Sequence, residues 1–247
     1  MLLERTRFDL EKAKAKRIWE NERRRQAGQR LKPDVNEQLS FAIYFAKHMG
    51  AQLVTALEPY FPGVRSGEVP SLAVRGPKRL DLSYSTPEAG LGLACSFKSV
   101  HFGEGRQGDA KFTHNLKRND EELRVEATSH HLRQPYAVLA AVVFLPFESC
   151  EDDETSSFAS WVEYLWALKG RINAEDAPDR FELVFIGLYD RAGNAFGFYE
   201  VGGEVGCPRS GRPKSLLSQD DFVRRLKVTY DRRNGKDFYF EGEDPNS

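Results

Sequence analysis

The chain has 247 residues, of which 40% are hydrophobic and 12% aromatic, enough for one substantial core. Lys+Arg 36 against Asp+Glu 37 leaves a formal net charge of -1, so no global field draws the protein toward nucleic acid or a membrane. Cys95, Cys150 and Cys207 are odd in number and lack a CxxC pair, which argues against a disulfide framework or a zinc knuckle and fits a reducing cytoplasm. There is no apolar run of about 18 residues, and the chain opens Met-Leu-Leu-Glu-Arg, so the expectation is a soluble, unexported protein.

Residues 3–27 read as a highly charged helix with Phe8, Ile18 and Trp19 only loosely periodic and arginines at Arg23, Arg24 and Arg25. Residues 1–32 carry eleven Lys/Arg against five Asp/Glu, a solvated arm that would also suit DNA backbone contact or a subunit interface. From 33 to 247 a single domain is expected. Asp34 three residues before Glu37 predicts the cap of a second helix, with Leu39, Ala42, Ile43, Ala46 and Leu53 facing the core.

After Phe61-Pro62-Gly63, Leu80, Leu82 and Tyr84 alternate with Arg79, Asp81, Ser83 and Ser85, the period of a half-buried strand. Pro87-Glu88-Ala89-Gly90 is a turn, and Leu91, Leu93, Cys95 and Phe97 alternate with Gly92, Ala94, Ser96 and Lys98. The resulting hairpin carries Asp81, Ser96 and Lys98 on the face opposite its apolar side. Residues 101–117 read as a polar loop, Asn119 or Asp120 as the cap of a helix running to about Leu132, and Tyr136 to Phe144 as a central strand covered on both faces. A helix over Ser156 to Lys169, strands over Phe181 to Leu188 and Ala195 to Val201, and a last helix from Ser218, with Asp221 three residues on, complete an interleaved α/β pattern with a mixed sheet.

Phosphodiester hydrolysis needs a cation to neutralise charge building on the phosphate and to make hydroxide available near neutral pH. Magnesium takes oxygen ligands and keeps several waters, so one or two carboxylates plus substrate phosphate suffice. A lysine can orient the water or stabilise the pentacovalent state. Asp81 and Lys98 supply one carboxylate and the ammonium. Helical spacing puts Glu122 and Glu126 one turn apart on one face, with His130 a further turn on. The same residues also admit plainer readings. An aspartate and a lysine on adjacent strands can be a surface salt bridge, Arg118 and Arg124 can line a solvated helix face, and His130 and His131 read as helix-surface histidines.

With Asp81 on one strand and Ser96-Phe97-Lys98 on the next, the hairpin resembles the PD-(D/E)xK nucleases, which commonly carry an acid two residues before the lysine; here that place holds Ser96. The chain resembles the restriction endonucleases of the CCGG group, which have Ser-x-Lys on the strand and take the second carboxylate from the following helix. Arg118-Asn119-Asp120 and Arg124-Val125-Glu126-Ala127 share the Arg-x-Asp and Arg-x-Glu-Ala of that segment. The resemblance covers roughly residues 35–145, with Leu80 where the family commonly has proline and a longer lysine-to-acid spacing.

It implies a restriction-endonuclease-like fold and a magnesium-dependent endonuclease acting on double-stranded DNA, with manganese as a substitute ion. Asp81 and Glu126 would be the metal ligands and Lys98 the catalytic ammonium, with Ser96 in support. Glu122 stays open as the alternative helix acid and Glu37 as an added one; Arg118 and Arg124 are the candidate DNA contacts. A homodimer or higher oligomer, a role in restriction or another antiphage defence, and a defence-system partner protein belong to the same expectation.

Overall fold

The computed structural model describes residues 2–73, 76–100, 112–113, 115–190 and 195–235. Most of the expected 101–117 loop and the acidic tail after Lys236 lie outside them. The elements follow in the order α1 (Leu2–Gln26), α2 (Glu37–Leu57), β1 (Arg65–Ala73), β2 (Gly76–Thr86), β3 (Gly90–Ser99), α3 (Leu116–His131), β4 (Val138–Pro146), α4 (Ser157–Trp166), β5 (Leu183–Tyr189), β6 (Phe196–Glu200) and α5 (Gln219–Arg233). The strands form one mixed sheet in sequence order: β1, β2 and β3 are an antiparallel meander, β4 and β5 run parallel to β3, and β6 is antiparallel to β5.

Both parallel crossovers, through α3 and α4, pack on one face of the sheet, as a right-handed sense demands when strands are added in one direction. Leu123 and Ala127 of α3 and Phe158, Trp161 and Leu165 of α4 fill that layer. The opposite layer is built from Phe45, Met49, Leu53 and Leu57 of α2 and Phe222, Val223 and Leu226 of α5. Covered on both sides, β4 is buried along its whole length, as its unbroken apolar run requires.

Several local expectations are corrected. Asn36, not Asp34, caps α2, its side chain accepting the Leu39 N–H at 3.0 Å. The buried stripe of α2 follows Ala42, Phe45, Met49, Leu53 and Leu57, so Leu39 and Ile43 are exposed, because the larger Phe45 and Met49 take the core positions. Strand β1 was not expected; it turns the hairpin into a three-strand meander. α3 starts before the expected cap: Asn115, in the left-handed region at φ 62°, precedes it, and Asn119 and Asp120 lie inside the helix.

The single buried face expected for the hairpin is split. Between Tyr84↔Leu93 and Ser85↔Leu91 the register shifts, leaving Gly92 as an extra residue on β3. Leu91 consequently packs in the α3 layer and Leu93 in the α2 layer. Leu80 and Leu82 divide the same way, opposite a second irregularity in β1 between Ser66 and Val69. Asp81 stands at that break.

α1 lies against α2 through buried Leu3, Thr6 and Leu10, with His48 Nε2 at 3.0 Å from Asp9 Oδ2 and Lys14 Nζ at 2.8 Å from Glu37 Oε1. Among the described residues no helix is long and apolar enough to cross a membrane.

Candidate active site

Strand pairing carries Asp81 to the end of the β2–β3 ladder, one step past Leu82↔Cys95 and two residues short of Lys98 on β3. The β2–β3 ladder runs from Thr86↔Gly90 to Leu82↔Cys95. Just past its end the Asp81 side chain enters the sheet's hydrogen bonding, with Oδ2 accepting the Phe97 N–H at 2.7 Å. This bond fixes the carboxylate beside the strand that carries Ser96 and Lys98. From below, α2 supports the same spot: a Cβ at Gly50 would lie 3.1 Å from Ser66 Cβ and 3.7 Å from the Asp81 carbonyl oxygen, so the helix backbone nearly touches the strand there.

On the other face of the sheet, Lys98 reaches α3. Its Nζ donates to Glu126 Oε1 at 2.7 Å and lies 3.6 Å from Glu122 Oε2. The Lys98 side chain is 16% exposed and that of Glu126 21%, so the pair is largely withdrawn from solvent. Burial alone would lower the Lys98 pKa; the charges of Glu126, Glu122 and Asp81 and the hydrogen bond donated to Glu126 outweigh it and hold the group above its ordinary value. Asp81, Glu122 and Glu126 thus all act on one ammonium. The Asp81 charge also reaches the other layer, where burial first, and Asp81 second, push the Cys95 thiol far up and keep it neutral.

Glu122 sits at the rim. Burial raises its pKa, but the hydrogen bond from Arg118 and the nearby Lys98 charge lower it on balance. Arg118 Nε donates to Glu122 Oε1 at 2.8 Å while the arginine remains 74% exposed. Together with Glu121, Val125 and Glu126 these two residues line an open cleft of about 480 Å³ on the outer face of α3.

Ser96 is buried, at 6% exposure, on β3 immediately before the Asp81-bonded Phe97 amide and two residues before Lys98. Glu37 is not brought to this cluster. It begins α2 beside Lys14, thirteen residues from the Gly50 contact with Asp81, or about 20 Å at the helical rise. Arg124 is engaged elsewhere too: Nε donates to Asp120 at 3.0 Å and Nη1 to Asp179 at 2.7 Å, fastening α3 to the segment before β5.

His130 and His131, expected on the helix surface, are buried at 1% and 2%. For His131 the reason lies in an acid the sequence reading passed over. Glu182, at the foot of β5, accepts the Leu139 N–H at 2.8 Å and has His131 Nε2 at 3.3 Å, Arg171 Nε at 3.3 Å and Arg233 Nη2 at 3.4 Å. A lone acid between Phe181 and Leu183 in an apolar strand was the available signal, since such a charge is buried only with partners.

The chemistry open to the Asp81–Lys98–Glu126 cluster is that of oxygen ligands around a cation next to a fixed ammonium. Among the described residues no group of three or more His, Cys, Asp or Glu forms a metal cage. A pair of carboxylates completed by water and phosphate is the arrangement magnesium commonly uses. The donor set suits such an ion, and its carboxylates already converge on a positive charge. Comparison of the chain with protein-family models, with curated proteins and with solved structures finds no match to any of them.

Proposed function

We propose that the protein is a magnesium-dependent endodeoxyribonuclease of the restriction-endonuclease type, with a restriction-endonuclease-like core, acting on double-stranded DNA. The observation that carries this reading is the convergence on Lys98 of Glu126 at 2.7 Å, Glu122 at 3.6 Å and the charge of Asp81. An incidental strand pair would not account for a helix carboxylate meeting the same ammonium in the place the motif names.

Asp81 and Glu126 would hold the metal, the Asp81 carboxylate being fixed in place by the Phe97 N–H that its Oδ2 accepts. Bound there, magnesium or manganese would neutralise charge on the scissile phosphate and supply hydroxide near neutral pH. Lys98, kept protonated by its neighbours, would act as a hydrogen-bond donor and positive charge beside the attacking water and the pentacovalent phosphorus, and not as a general base. Ser96 would hold local hydrogen bonding under the site. Arg118, exposed at the rim, is the side chain best placed to meet a backbone phosphate. Cutting both strands needs two such sites, which favours a homodimer or larger homo-oligomer and a role in restriction or antiphage defence.

The test is plasmid cleavage. The purified protein should nick or cut supercoiled DNA with magnesium and stop in EDTA. Asp81→Ala should abolish the product, and Glu126→Gln should do so where Glu122→Gln only slows it. Full cleavage by Asp81→Ala, or by Glu126→Gln, rejects the assignment.

A second reading is favoured by Ser96, a hydroxyl where a carboxylate would complete the ligand set: an inactive member of the fold that binds nucleic acid or a partner protein. It predicts DNA binding with no magnesium-dependent product at any enzyme concentration. A subunit active only within a larger defence complex would instead gain cleavage when its partner protein is added.

A further inference from the structure

On the opposite face of the sheet from Lys98 and Glu126, α5 and the segment before β5 enclose a cavity of about 260 Å³. Its walls carry five cations, Lys169, Arg171, Arg225, Arg232 and Arg233, against two acids, Glu182 and Glu200. Most of this charge is only partly met. Arg171 and Arg233 share one oxygen of Glu182, at 3.3 and 3.4 Å, and Arg225 Nε is 3.2 Å from Glu200. Lys169 donates to the Gly202 carbonyl at 2.6 Å. Arg232 has no ion pair among the described residues.

The deepest of these groups are built in. The Arg171 and Arg233 side chains are 1% and 7% exposed, and their Nη atoms are held on the carbonyls of Pro135, Ala174 and Ile172. Arg233 Nε is buried without a hydrogen-bond acceptor among the described residues. A fixed excess of guanidinium beside an unmet donor, in a cavity open to solvent, is what a phosphate or other multivalent oxyanion requires.

We infer that this cavity binds a phosphate-bearing anion, held by Arg225 and Arg232 at the mouth over the fixed Arg171 and Arg233. The site is independent of the nuclease reading, since it lies on the other side of the sheet and uses none of its residues. A free nucleotide and the backbone of a nucleic acid offer the same group, and the experiment separates them.

The full-length protein is titrated in EDTA, at constant ionic strength, with inorganic phosphate and with adenosine monophosphate while its melting temperature is followed. A saturable rise is expected, and Arg225→Gln/Arg232→Gln should need roughly tenfold more ligand or respond not at all. Glu200→Gln, which frees Arg225, should tighten the response, while Lys98→Ala leaves it intact. A short DNA duplex, followed by fluorescence anisotropy in EDTA, identifies the source. Weaker duplex binding by the double variant assigns the site to backbone phosphate, and unchanged duplex binding with lost nucleotide response assigns it to a free ligand. No saturable stabilisation of the wild type, or an equal response in the double variant, overturns the proposal.

Discussion

Lys98 is the residue on which opposing electrostatic effects are most finely set. Burial works against its charge, and carboxylates on two elements work for it and prevail. A raised folded pKa means that the stabilisation from this contact is complete below the ordinary lysine value of 10.5 and is lost as pH rises through the higher folded value. Urea unfolding of the wild type and of Lys98→Met should therefore show a stability gap that narrows as pH climbs past that range. A gap unchanged into strong alkali would show that the ammonium does not hold the carboxylates. In the sequence, Asp81 and Lys98 were legible as neighbours, because alternation and a short turn suffice to pair two strands. Glu126 needed the motif as well, since helical spacing alone left Glu122 equal to it. The burial of His131 was not legible, because Glu182 comes to it from a strand about fifty residues on.

At the scale of elements, local chemistry was readable wherever it was self-contained. Ser218 and Asp221 form the reciprocal cap of α5, with the Asp221 N–H donated to Ser218 Oγ at 3.1 Å and the Ser218 N–H to Asp221 Oδ2 at 3.3 Å. Ser218→Ala should cost about 1 kcal/mol by chemical denaturation, and no measurable change would remove the cap from the account. β1 was not expected, and its segment carries Gly67 and Pro70, residue types that strands disfavour. On an edge strand a proline need not donate to a ladder, and the pairing with β2 comes from outside the segment. The split of the hairpin's apolar residues between two layers was hidden for a similar reason: a bulge reverses the alternation without changing composition.

The parallel centre of the sheet is equally constrained. A Cβ on Gly187 in β5 would lie 2.5 Å from the Phe144 ring, which is itself wedged against Phe45 and Phe97 at centroid distances of 5.1 and 5.5 Å. Gly187→Ala should destabilise by about 1–3 kcal/mol, read from the shift of the denaturation midpoint at unchanged slope.

For the molecule as a whole, Glu182 joins its parts. It fastens the end of α3 through His131, the end of α5 through Arg233, the segment after α4 through Arg171 and the start of β4 through the Leu139 amide. Glu182→Gln leaves buried guanidinium groups without their counter-charge and should cost roughly 3–5 kcal/mol, detectable as a fall in melting temperature across the whole cooperative transition. The α/β class, the mixed sheet and most helices could be read from periodicity, but this long-range fastening could not, since its partners come from four separate stretches of chain. The two ends of the sheet thus carry different charge clusters: the Glu182 fastening at one, and at the other Asp81, Lys98 and Glu126 beside an open cleft. The most direct test of the central claim is the rate of magnesium-dependent nicking of supercoiled plasmid by Lys98→Ala relative to wild type. The account predicts a loss of roughly 100- to 1,000-fold with the variant still folded, and nicking at the wild-type rate by folded Lys98→Ala would contradict it.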